Sequence, residues 1–93
     1  MPLDRATLDE AVARLNKSRR NDQQVKVESF DGARFTLSFP NRAMPEGQCI
    51  DQDFTEVQWA LHEKDQLVTS IVGGRHDEAL DRYFMDYEVV EWD

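Results

Sequence analysis

Two short runs of alternating residues, separated by Phe30-Asp31-Gly32, constrain this chain more than any other feature it carries. Val25-Lys26-Val27-Glu28-Ser29 precedes the break, and Ala33-Arg34-Phe35-Thr36-Leu37-Ser38-Phe39 follows it. A period of two places successive side chains on opposite faces of a strand, so each run buries one face and wets the other. Asp-Gly at the junction predicts a hairpin, because glycine enters the left-handed region without a Cβ penalty. A two-residue turn would put Val27 on the face of Thr36. A three-residue loop, Phe30 to Gly32, instead pairs Ser29 with Ala33, Val27 with Phe35 and Val25 with Leu37. A one-residue slip turns every side chain over, so the apolar pattern selects the three-residue loop, with Gly32 left-handed in a type I turn plus bulge.

Such a sheet needs a cover for its apolar face, and the upstream sequence supplies one. Leu8, Ala11, Val12 and Leu15 recur at i, i+3, i+4 and i+7, one stripe of a helix. Thr7-Leu8-Asp9-Glu10 has the form of a capping box. Asp9 and Glu10 sit at the positive end of the helix dipole, and Lys17, Arg19 and Arg20 at its negative end. The spacing predicts a helix over 7–19.

Downstream, Pro40 ends the second strand, and residues 40–53, with Pro40, Pro45 and Gly47, read as a long loop of the kind that contacts partners. From Phe54 the alternation returns. Val57, Trp59 and Leu61 share one face and Glu56, Gln58, Ala60 and His62 the other, which predicts a strand with Trp59 in the core. Glu63-Lys64-Asp65-Gln66 reads as a turn and Leu67–Val72 as the partner strand, a second hairpin stopped by Gly73-Gly74. Leu80, Phe84 and Tyr87 fit a helical stripe, yet Tyr83, Met85, Tyr87 and Val89 alternate. A loop or single helical turn over 75–81, then a strand near 82–91, is the preferred reading. The expected fold is α+β: an N-terminal helix packed on an antiparallel sheet of four or five strands, two hairpins plus a C-terminal strand, in a single domain over 1–93.

Charge divides the chain unevenly. The formal net charge is −8, from 11 Lys and Arg against 19 Asp and Glu. Residues 1–42 hold eight basic and six acidic residues, and residues 43–93 hold three and thirteen. The acidic half repels nucleic acid and anionic membrane, so neither is an expected partner. The stretch from Asp77 to Asp93 carries seven acids and one cation, Arg82. On a strand, Asp86 and Glu88 share a face with Phe84, Val90 and Trp92, an acidic row edged by aromatics that suits a basic partner. The same row also reads as a solvated face guarding an edge strand.

Recognisable chemistry is sparse. Cys49 is the single cysteine, flanked by carboxylates that weaken it as a thiolate. His62 and His76, with Asp51 and Asp53, lack the spacing of known metal motifs, and no metal or other cofactor is expected. The amides of Gly73-Gly74-Arg75-His76, after a strand, offer an anion nest with Arg75 as clamp, but the run lacks phosphate-loop and dinucleotide spacing and reads first as two glycines ending a strand. Ser29, Ser38 and Ser70 fall within strands, away from any nucleophile elbow. The cations Arg14, Lys17, Arg19 and Arg20 read as a helix end paired with the acidic half.

The reading that follows is a small non-enzymatic protein-binding domain: an inhibitor, nucleic-acid mimic or immunity-type protein. It would dock on a basic surface, such as that of a nucleic-acid-handling protein. The contact residues would be Asp51, Asp53, Asp77, Glu78, Asp81, Asp86, Glu88, Glu91 and Trp92. A cytoplasmic setting is expected, because Met1-Pro2-Leu3-Asp4-Arg5 lacks the form of a secretory signal. The alternatives are a homodimeric structural or regulatory domain covered through Phe54, Phe84 and Trp92, and a small-ligand binder with Tyr83, Tyr87, Arg75 and His76 around a pocket between helix and sheet.

Overall fold

Asp4 opens the first helix. Its carboxylate accepts from the Thr7 amide at 2.8 Å, one of the N–H groups a helix leaves unpaired at its start. That bond holds the Asp4 carboxyl below its ordinary pKa. The computed structural model to which these contacts belong describes residues 3–41, 47 and 51–90. Helix α1 spans Arg5–Asn16 and buries Leu8, Ala11, Val12 and Leu15, the stripe its sequence predicts. The cap is Asp4, not Thr7, and the helix stops short of residue 19. Asn16 accounts for the early stop: its Oδ1 accepts from Val25 N at 2.7 Å and its Nδ2 donates to Val25 O at 2.9 Å, fastening the chain's return toward the sheet. A 3₁₀ turn over Asn21–Gln23 lies between.

Strands β1, Lys26–Phe30, and β2, Arg34–Pro40, form the expected hairpin in a different register. Val27 lies opposite Leu37, not Phe35, and Phe30 lies opposite Phe35. The ladder shifts between Val27 and Ser29, so Glu28 is an extra residue, a bulge that keeps Val27 on the same face as Leu37. Gly32 is left-handed at φ +93°, as expected. The loop, however, is Asp31 to Ala33, one residue later than expected, and the Asp31 carboxylate accepts from the amides of Ala33 and Arg34.

The largest correction concerns residues 51–65. They form helix α2, Asp51–Asp65, instead of a loop end, a strand and a turn. Phe54, Val57 and Leu61 repeat the i, i+3, i+7 spacing of Leu8, Ala11 and Leu15, and all three are buried, with Ala60 beside them. Trp59 falls on the opposite side and is 64% exposed, so it is not a core residue. Gln66, left-handed at φ +56°, closes the helix, with Gln66 N donating to His62 O and Leu67 N to Leu61 O.

Strand β3 is Val68–Asp77 and strand β4 is Arg82–Val90, the latter close to the expected C-terminal strand. They pair with each other, so the second hairpin lies one element later than the sequence suggests. Gly73 and Gly74 do not stop β3; they lie inside it, beyond a bulge at Val72. A Cβ on Gly74 would meet Met85 Sδ at 2.7 Å, so Met85 occupies the space a side chain would need.

The four strands make one antiparallel sheet in the order β1-β2-β4-β3. Phe35, Leu37, Phe39 and Tyr87, on the two central strands, join the stripes of both helices in one core. Both helices therefore cover the same sheet face. The order is unchanged when the two αββ halves are exchanged, an internal two-fold of topology that no sequence repeat announces. Ion pairs tie α1 and the segment after it to α2: Arg14 with Glu63 at 2.6 Å and Lys64 with Glu10 between the helices, and Arg19, beyond the end of α1, with Asp53 at 3.0 Å. Much of the basic helix end is thus spent within the chain, on α2.

Candidate functional site: the uncovered sheet face

With both helices on one side, the other face of the sheet is left open, as antiparallel sheets permit. Alternation decides what it carries. Arg34, Thr36 and Ser38 on β2 lie opposite Glu88, Asp86 and Phe84 on β4, and Ser70, Gly73 and Arg75 on β3 lie opposite the same three residues. Val72 and Val90 are exposed large apolar residues at 52% and 43%. A hollow of about 540 Å³ is lined by Arg34, Thr36, Val72 and Asp86 among others, and one of about 520 Å³ by Ser70, Val72, Glu88 and Val90. A third, of about 280 Å³, lies between Thr36, Gly74, Arg75, Phe84 and Asp86.

The charges on this face are largely matched. Arg34 lies 3.7 Å from Glu88, and Arg75 lies 3.6 Å from Asp77 while its guanidinium sits 4.4 Å over the Phe84 ring. Thr36 Oγ1 donates to Asp86 Oδ1 at 2.6 Å. Asp86 Oδ2 lies over Gly73, where a Cβ would approach it to 3.1 Å. Ser38 is fully buried, donating to Glu28 and accepting from Arg82 Nε, so it is closed to any substrate. Burial lowers the pKa of Arg82, with Glu28 opposing the shift, and Arg82 also donates to the carbonyls of Ser38 and Gln24.

The expected contact residues are divided among several places. Asp86 and Glu88 share the uncovered face with Phe84 and Val90, as the alternation implied. Asp77, Glu78 and Asp81 lie at the β3–β4 turn. There Asp81 lies 3.0 Å from His76 Nε2 and accepts from Asn41 Nδ2 at 3.1 Å, bonds that lower its pKa. Asp53 leaves the surface altogether: it is 2% exposed and paired with Arg19, because the first turn of α2 points it inward. Glu91 and Trp92 lie outside the described residues, as do Cys49 and the side chain of Asp51. Phe54 is buried and cannot cover a second copy. Tyr87 is fully buried and the His76 ring lies tilted against Tyr83 at 4.6 Å between centroids, while Arg75 faces the open side, so these four do not converge on a pocket between helix and sheet.

Thr36, Val72 and Gly73 belong to this face and were not anticipated. The β-branched run Leu67–Val72 was the available signal, but Gly73-Gly74 read as its end. Because they stand within a strand, the amides of Gly73 and Gly74 are not an anion nest. Among the described residues no three His, Cys, Asp or Glu side chains are grouped to hold a metal, and no helix is long and apolar enough to cross a membrane. A fourth hollow, about 330 Å³, lies where α2 meets β3, lined by Trp59, His62, Leu67 and Thr69. Gln58 donates to Thr69 O at its floor and occupies part of the β3 edge. Comparison with protein-family models, curated proteins and solved structures gave no match to the chain.

Proposed function

We propose that this domain is a non-catalytic protein-binding module, an inhibitor or immunity-type protein in its manner of action, that docks the uncovered sheet face on a basic surface of another protein. The observation carrying this reading is the juxtaposition of Asp86 and Glu88 with exposed Val72 and Val90 around two hollows that share Val72, on a face no helix covers. Apolar residues exposed beside carboxylates supply the two ingredients of a docking surface: desolvated contact area and electrostatic steering. The acidic excess of residues 43–93 favours a cationic partner over nucleic acid.

Capture from the native host by the wild-type chain and by an Asp86→Lys/Glu88→Lys variant tests the reading. The expected result is a protein with a basic surface, retained by the wild type at low ionic strength, released as salt rises, and lost by the variant. Capture that is insensitive to both salt and charge reversal overturns it.

A further inference from the structure

We infer that the outer edge of β3 takes up an extended segment of another protein as a fifth strand of the sheet. This binding mode is distinct from docking of the open face and does not depend on it. The sheet has two edges, β1 and β3, and they are not alike. β1 is five residues long, carries Lys26 and Glu28, and is bulged at Glu28, features that keep a strand from pairing outward. β3 is ten residues long, and Val68–Ile71, ahead of its own bulge, carries neither charge nor proline. The ladder fixes which backbone groups are open. Val89 N donates to Ala33 O on the β2 side, so Thr69, opposite Val89, turns its N–H and C=O away from β4. Alternation gives Ile71 the same direction.

The surroundings of this edge point to a peptide strand as its occupant. Gln58 of α2 donates its Nε2 to Thr69 O at 2.9 Å, the bond that an adjacent strand's N–H would make. One side-chain amide thus stands in for a missing neighbour. The outward N–H groups of Thr69 and Ile71 have no such substitute among the described residues. Thr69 Oγ1, buried at the same place, also lacks a hydrogen-bond partner. The helix cover falls short here as well: Ile71 lies on the Tyr87 side of the sheet, yet is 37% exposed. Trp59, Leu67 and Thr69 line the hollow of about 330 Å³ between α2 and β3. A strand added to this edge sends alternate side chains to the helix side, where that hollow receives an apolar one. Backbone pairing then supplies affinity and the hollow selectivity. A second copy is the poorer occupant. β3 belongs to the half of the chain with thirteen acidic residues against three basic, so two copies repel where a neutral or basic segment does not.

The test uses a defined peptide, acetyl-Lys-Val-Thr-Val-Thr-Val-Lys-amide, titrated into the ¹⁵N-labelled full chain. Its control, acetyl-Lys-Val-Pro-Val-Pro-Val-Lys-amide, keeps the charge and the valines but lacks the central N–H donors. With the first peptide alone, saturable shifts are expected at the amides of Thr69 and Ile71 and at the Trp59 indole N–H, with slowed hydrogen exchange at the two amides. Ile71→Pro removes one outward N–H without touching the ladder to β4, and should weaken binding by about tenfold. Gln58→Ala frees Thr69 O and should tighten binding by about fivefold, a gain that a merely structural role for Gln58 would not produce. The same spectra report whether each variant is folded. Trp59→Ala, which removes a wall of the hollow from an exposed position, should weaken the peptide several-fold even if Ile71→Pro does not fold. Equal shifts with both peptides, shifts centred on β1 or on the Thr36–Asp86 side of the sheet, or no saturable shift at all overturn the edge site. Protection of Thr69 and Ile71 that rises with protein concentration in the absence of peptide makes a second copy the occupant, and overturns it too.

Discussion

Tyr87 joins the two layers through both its ring and its hydroxyl. The ring stacks on Phe35 with centroids 5.0 Å apart, and the buried hydroxyl donates to the Phe54 carbonyl of α2 at 2.6 Å. Burial raises the phenol's pKa well above its ordinary value of about 10. In the unfolded chain the phenol ionises near pH 10, while in the folded protein it keeps its proton to higher pH. The stability this provides is therefore complete below pH 10 and declines as pH rises above it, by up to about 1.4 kcal/mol per unit. Tyr87→Phe should cost about 1 kcal/mol at neutral pH, for the lost hydrogen bond, and should flatten the alkaline decline. Urea unfolding of both proteins at pH 7 and near pH 11 measures this, and parallel declines would refute it. The tyrosine's place on an inward strand face was legible in the sequence, but its hydroxyl partner, on a different element, was not. Asp53 and Asp86 teach the same lesson: two acids alike in sequence, one sealed against Arg19 and the other open to solvent, are distinguished only by the elements that carry them.

Helix α2 is the element the sequence concealed. Residues 54–62 satisfy two periods at once, since Val57, Trp59 and Leu61 alternate while Phe54, Val57 and Leu61 follow a helical stripe. Over so short a run neither period excludes the other, and a tryptophan in the alternating set tips the balance toward a strand. The two structures make opposite forecasts for neighbouring residues. Leu61→Ala should destabilise by about 2–5 kcal/mol, because it empties a fully buried site between helix and sheet. Trp59→Ala should cost less than about 1 kcal/mol, since most of that side chain is in water already. Chemical denaturation of the two variants settles the matter, and comparable losses would contradict the helix. The first hairpin was legible because Asp-Gly and alternation agree, and its register was not, because the Glu28 bulge leaves no mark in a pattern of apolar and polar residues.

The whole molecule is two αββ units meeting through β2 and β4 at the centre of the sheet and through α1 and α2 above it. Neither unit holds the core alone: Phe35, Leu37 and Leu8 come from the first, and Tyr87, Phe54 and Leu61 from the second. The α+β class was legible from the alternation and the first stripe, whereas the symmetry was not, because similar stripes at different residues do not read as a repeat. The symmetric order also turns the uneven charge into something useful. Divided after Arg42, the chain yields pieces with net charges of +2 and −10, each lacking half a core and exposing one long strand edge. Opposite charge should draw such fragments together and the missing strand pairing should hold them, so the protein ought to reconstitute from its separated halves. Mixing the two labelled peptides should restore dispersed amide resonances, more readily at low salt than at high. A mixture that stays unfolded at every ionic strength would mean that an unbroken connection between the halves is needed to form the fold.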